Sequence, residues 1–136
     1  MRIRCALAVM AASGIAGCGE DEDHANRERP PATINVTAAI ADGRIHVSPR
    51  EFGAGPIRLL VSNQTASPQE VTFETAGDAS GITQTSAPIS PDGAATLDVD
   101  ATEGAYELST GDGAIRPVAV KVGAPRPSAQ NELLQP

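Results

Sequence analysis

Few side chains in this 136-residue chain could do chemistry. There are two cysteines, Cys5 and Cys18, and two histidines, His24 and His46. A thiol can serve as nucleophile, metal ligand or acylation acceptor, and an imidazole as base or ligand. A hydrolytic triad needs a base held between a nucleophile and an orienting carboxylate. His46 falls between Ile45 and Val47 on the outward parity of an alternating run, where a histidine is a plain surface residue. Asp98 and Asp100 share one strand face and could flank a substrate, but such pairs ordinarily keep a sheet face wet. The run Glu20-Asp21-Glu22-Asp23-His24 contains metal-ligand types. On an unstructured segment those carboxylates gain little selectivity and lose entropy on binding. No catalytic, cofactor-binding or metal-binding constellation is expected, and the chain reads as a non-enzyme.

The one cysteine with a chemical context is Cys18. Met1-Arg2-Ile3-Arg4 is a short basic start, and Cys5 to Ile15 is an apolar run too short to span a bilayer, which takes about 20 residues. Ile15-Ala16-Gly17-Cys18 then resembles the bacterial lipoprotein signal. The resemblance implies that residues 1–17 are a signal peptide, that the Cys18 sulfur receives a diacylglyceryl group, and that the Gly17–Cys18 bond is cut. Two or more acyl chains give stable anchoring where one does not. The expected location is therefore the cell membrane or outer membrane, extracytoplasmic, with the membrane as partner through the lipid on Cys18.

Residues 18–31 carry the anchor and an acidic, Pro-terminated spacer that reads as disordered. The chain has 17 acidic and 10 basic residues, a net charge of −7. Losing Arg2 and Arg4 with the signal would make it more acidic. Nucleic acid and electrostatic adhesion to anionic lipid both want clustered cations, so neither is an expected partner. No cysteine lies beyond Cys18, so no disulfide can staple the domain.

From residue 32 to 123 the pattern has period two. Ile34, Val36, Ala38 and Ile40 alternate with polar or small residues, Asp42-Gly43 is a hairpin signal, and Ile45 and Val47 continue the alternation. Pro49 to Pro56 reads as a breaker-rich connection. Ile57, Leu59 and Val61 form an inward row, with Leu60 on the other parity suggesting cover on both faces. Val71 and Phe73, then Leu97 and Val99, Tyr106 and Leu108, and Val118, Val120 and Val122 supply the remaining rows. Gly77 to Gly93 reads as the longest loop, with a short strand near Ile82 to Ala87. No helical spacing occurs. The expected fold is all-β: a single small sandwich of two sheets, ending at Gly123 before a disordered tail over 124–136, with Leu133 and Leu134 its two residues able to dock.

Pro49-x-x-Phe52, the run Gly55-Pro56-Ile57-Arg58-Leu59-Leu60-Val61-Ser62-Asn63, Pro91-Asp92-Gly93 and Gly104-Ala105-Tyr106 resemble a cupredoxin. An immunoglobulin-like sandwich, with Tyr106 as its corner tyrosine, is the alternative. The cupredoxin resemblance implies a copper site of two histidines, a thiolate and an axial methionine. Its ligand positions here hold Gln69 and Glu70 before Val71, and Ser109 or Thr110 after Tyr106, while Gly111 to Arg116 has no His or Met. The domain therefore resembles a copper-free cupredoxin. The expected function is a membrane-tethered binding or interaction module for a protein or small ligand, monomeric and without redox metal. The alternative is a weak metal-binding or copper-handling lipoprotein using His46, His24 and carboxylates.

Overall fold

A computed structural model describes residues 29–77 and 81–129. The signal peptide, Cys18, the acidic run with His24, and Leu133 and Leu134 lie outside the described residues. The elements are β1 (Ile34–Ala41), β2 (Arg44–Ser48), β3 (Glu51–Asn63), β4 (Val71–Thr75), β5 (Thr83–Thr85), β6 (Ala94–Ala101), β7 (Gly104–Thr110) and β8 (Val118–Pro125). One sheet runs β2-β1-β3-β6 and the other β3-β8-β7-β4-β5, so β3 belongs to both.

Alternation sets which side chains meet between the sheets. Val36, Ile40, Ile57, Leu59, Val61, Val71, Leu108 and Val122 are each nearly inaccessible to solvent. All three aromatic rings of the chain are inside, and Phe73 stacks on Tyr106 with centroids 4.9 Å apart and planes 3° from parallel. Such a pair adds to what its buried area alone contributes. Ile89 and Ile115 also join this core from loops, where period-two reasoning has no purchase.

The stretch from Pro49 to Pro56 is not a plain connection, because β3 begins at Glu51. Its first residues pair in parallel with β8, from Glu51↔Lys121 to Ala54↔Pro125, with a bulge between Gly53 and Ala54. From Ile57 onward the same strand pairs in parallel with β1 and antiparallel with β6. The breaker residues sit where the strand passes from one sheet to the other, a place where ladder bonds are interrupted anyway. Gly55 takes a φ of 128°, and a Cβ on Gly53 would stand 2.7 Å from Arg126 Cγ and 2.8 Å from the Ala124 carbonyl. Phe52 and Ala54 keep the alternation through the crossing and are buried.

Two further expectations change. The strand is not covered on both faces: Leu60 is 38% exposed, because no layer packs over that face among the described residues. The last strand continues past Gly123 to Pro125, and Arg126 is built into the fold. The immunoglobulin-like alternative also gives way. That sandwich is made of antiparallel sheets, whereas β1 and β3 run parallel in the middle of one sheet. Its corner motif is nonetheless present locally, since the Tyr106 hydroxyl donates to the Thr102 carbonyl at 3.1 Å and accepts from the Thr102 amide at 3.2 Å.

The sandwich has two distinct ends. At one, β1 starts, β6 and β8 finish and β3 changes sheet. At the other, β1 and β3 finish and β4 and β8 begin. The linker expected before Ala32 would join the first, so we term it the proximal end and the other the distal end.

Candidate functional site

The distal end gathers the positions that sequence reasoning singled out. Asn63, the last residue of β3, has no exposed surface. Its amide donates to the carbonyls of Ser67 at 2.8 Å and Ile89 at 2.9 Å, and its Oδ1 accepts from the Thr65 amide at 3.0 Å and hydroxyl at 2.7 Å. Every polar capacity that matters on a buried amide is thereby met. This one side chain ties the loop after β3 to the loop carrying Ile89. Gln69 continues the tie, exchanging backbone bonds with Ile89 at 3.0 and 2.7 Å.

Gln69 and Thr110 are both buried at the start of β4 and the end of β7, strands paired through Val71↔Thr110. Thr110 donates its hydroxyl to Asp112 Oδ1 at 2.9 Å, and the Ala114 amide donates to the same oxygen at 3.1 Å. These bonds, the amide first, hold the Asp112 carboxyl below its ordinary pKa, and the Gln69 side chain contributes less. Glu70 and Ser109 take the opposite parity: Glu70 is exposed, Ser109 half-buried, and Glu70 contributes its carbonyl to the Gly111 amide at 2.9 Å. The structure thus brings Gln69 and Thr110 together and points Glu70 away. Sequence reasoning missed Asp112, although Thr110-Gly111-Asp112 has the spacing of a local side-chain turn.

The other candidates lie elsewhere. His46 is exposed on β2, opposite Ala39 on the outer face of its sheet. Asp98 and Asp100 share an exposed face of β6, and Asp98 accepts from Arg58 Nε at 2.8 Å, which makes it a surface ion pair. No group of three or more His, Cys, Asp or Glu able to hold a metal ion occurs among the described residues. The stretch from Gly77 to Gly93 is only partly a free loop. Thr83–Thr85 pairs with β4, and Ser86 and Ile89 are buried.

No protein-family model matches the chain, and no curated protein does. Solved structures do. Auracyanin A, a "blue" copper protein of Chloroflexus aurantiacus, superposes with a TM-score of 0.52 at 14% identity, over 68% of this chain and 99% of that one. Dithionite-reduced auracyanin of Roseiflexus castenholzii gives 0.50 at 16% identity, over 67% and 96%. The domain is a cupredoxin-like β-sandwich.

That fold raises the question of copper. A blue-copper centre selects its metal with a thiolate and imidazoles. The positions that the resemblance gives to copper ligands hold Gln69, Glu70, Ser109 and Thr110, an amide, a carboxylate and two hydroxyls, and the Thr110 hydroxyl is committed to Asp112 Oδ1. The chain's two cysteines, Cys5 and Cys18, both precede the domain. These residues do not fit such a centre.

Proposed function

We propose that the chain is a lipid-anchored, extracytoplasmic binding module whose cupredoxin-like sandwich holds no redox metal. The observation that carries this is that Gln69 and Thr110, at positions the resemblance gives to copper ligands, are buried in the braced loops, with the Thr110 hydroxyl bonded to Asp112. The bonds of Thr110 and Ala114 to Asp112 and the backbone pair between Gln69 and Ile89 hold these loops together without an ion. Loops on such a scaffold are where recognition residues concentrate. The anchor rests on Ile15-Ala16-Gly17-Cys18, and one domain over residues 32–123, extended to Arg126, rests on the alternation and the strand bounds. A non-enzymatic role is supported by the exposed, outward placement of His46 on β2.

The test is to purify the full-length chain, add Cu(II) and record the visible spectrum. No intense thiolate-to-copper absorption is expected, and a strong band of that type would overturn the metal-free reading. For the anchor, Cys18→Ala should release the chain from membranes or leave it unprocessed. An unmodified, unanchored wild-type chain recovered from cells would sink that part.

A further inference from the structure

We propose that the distal end binds a small polyanion through Arg44, Arg50 and Arg116. The proposal rests on the binding-module reading and names the class of ligand. The three arginines line one cavity of about 310 Å³, with Ile45, Pro117 and Val118 as apolar wall. This is a volume suited to a small molecule.

The way this domain uses its other cations isolates these three. Between Ile34 and Arg126, Arg58 pairs with Asp98 and Lys121 with Glu51. Arg126 donates to the carbonyls of Ala32, Gly53, Ala54 and Pro56. Arg44, Arg50 and Arg116 enter neither ion pair among the described residues, in a chain with 17 acidic residues available. Three like charges lining one concavity repel each other. A multiply charged anion would relieve that repulsion.

Each arginine is fixed by its own piece of fold. Arg44 follows a two-residue turn in which Asp42 and Gly43 both take positive φ, 50° and 69°, and it pairs with Ala41. Arg50 is held by its carbonyl, which accepts from the Lys121 amide at 2.8 Å. Arg116 follows the buried Ile115, in the loop that Asp112 braces through Thr110 and Ala114. The backbone positions are thus set before a ligand arrives, which lowers the ordering cost of binding. Guanidinium forks suit phosphate and carboxylate oxygens, and three of them suit a charge of about −2 or −3. The apolar wall would take a compact carbon body, so the ligand class is a phosphate ester or a di- or tricarboxylate.

The pocket runs from Arg44, at the end opposite Ile34 and roughly 25 Å along β1 at about 3.3 Å per residue, back along the flank to Arg50 beside Lys121. A tether entering at Ile34 would leave it facing solvent, which favours a dissolved anion over a lipid headgroup. The experiment is calorimetric titration of the full-length chain in non-ionic detergent with pyrophosphate and with citrate, at low and high salt. Sedimentation with vesicles of anionic phospholipid is the second arm. Saturable binding of one dissolved probe is expected, weakened by salt. Affinity should fall about tenfold or more in Arg116→Gln and be lost in the triple Arg44→Gln/Arg50→Gln/Arg116→Gln chain. Arg58→Gln, which removes the same charge from the other sheet, should leave it unchanged.

No binding of any probe, or equal binding by the wild-type and triple-variant chains, would overturn the site. Arginine-dependent binding to vesicles alone would overturn the dissolved source and assign a lipid phosphate. A blue copper spectrum with anion binding intact would sink the metal-free reading and leave the pocket standing.

Discussion

The two ends of the sandwich use the same residue type in opposite ways. At the proximal end Arg126 donates to four backbone carbonyls from two segments, 2.7 Å from Pro56 and 3.0 Å from Gly53, and lies against the face that Gly53 and Gly55 leave open. At the distal end Arg44, Arg50 and Arg116 stand at the rim of a cavity with no carboxylate partner among the described residues. The distal loops are held by neutral and acidic groups instead: Asn63, Gln69, Thr110 and Asp112. A guanidinium with each of its three nitrogens bonded to backbone acts as a structural clamp. One held on a braced loop with its donors facing solvent is available for recognition. The difference separates positions that fold the chain from positions that can be changed without unfolding it.

Substitutions can break this contrast in a graded way. Phe73→Ala removes the ring stacked on Tyr106 in the core that serves both ends, and should cost about 3–5 kcal/mol. Denaturant unfolding should show both ends failing in one transition. Asn63→Ala should cost about 2–3 kcal/mol, because it takes the acceptor from the Thr65 amide and one of two donors from each of the Ile89 and Ser67 carbonyls. Its effect on amide exchange should concentrate in the distal loops. Arg126→Met keeps the stem over Gly53 but removes the donors, and about 1–2 kcal/mol is expected, since the freed carbonyls can partly turn to water. Exchange should rise around Ala54 and Pro125 and not around Asn63; uniform loss would show that the ends are not separable. Arg44→Gln, Arg50→Gln or Arg116→Gln should each move stability by less than about 0.5 kcal/mol.

The smallest effect is on pH dependence. The bonds from Ala114, Thr110 and Gln69 lower the Asp112 pKa, so its charged form stabilises the folded loop. That contribution is complete above the ordinary value of 3.8 and is lost as pH falls through the lowered one. Asp112→Asn should flatten the acid limb of amide exchange over Gly111 to Ala114. An unchanged acid limb would remove Asp112 from the brace.

Much of this arrangement can be read from the chain itself. Period-two alternation placed Val36, Ile40, Leu59, Val71, Leu108 and Val122 inside correctly, because a pleated strand with one buried face has no other way to order its side chains. It failed where that premise fails. Gly53, Gly55 and Pro56 look like breakers, and in a strand crossing between sheets breakers are tolerated. Leu60 keeps a large apolar side chain on an uncovered face. Ile89 and Ile115 are buried from irregular segments, which have no periodicity to reveal it. The positions of Gln69 and Thr110 were legible through family resemblance, whereas Asp112 needed the local turn. The arginine cavity was not legible at all. Arg44 comes from the start of β2, and Arg50 and Arg116 from two separate connections, and only the folded chain brings them to one place.

The position of β1 has a mechanical side. The chain enters the sandwich at Ile34, and β1 is bonded on one flank to β2 and on the other to β3. Ladder bonds lie across the strand direction in an antiparallel pair and slant across it in a parallel one. A tug arriving from before Ile34, resisted by something gripped at the distal end, would run along β1. The load would then be shared by both ladders in shear instead of opening them one rung at a time. The Ala32 carbonyl, held by Arg126, would pass part of the same force into β3 where it crosses between the sheets. A domain tethered in this way would resist traction along its axis better than a sideways pull on the free edge at β5.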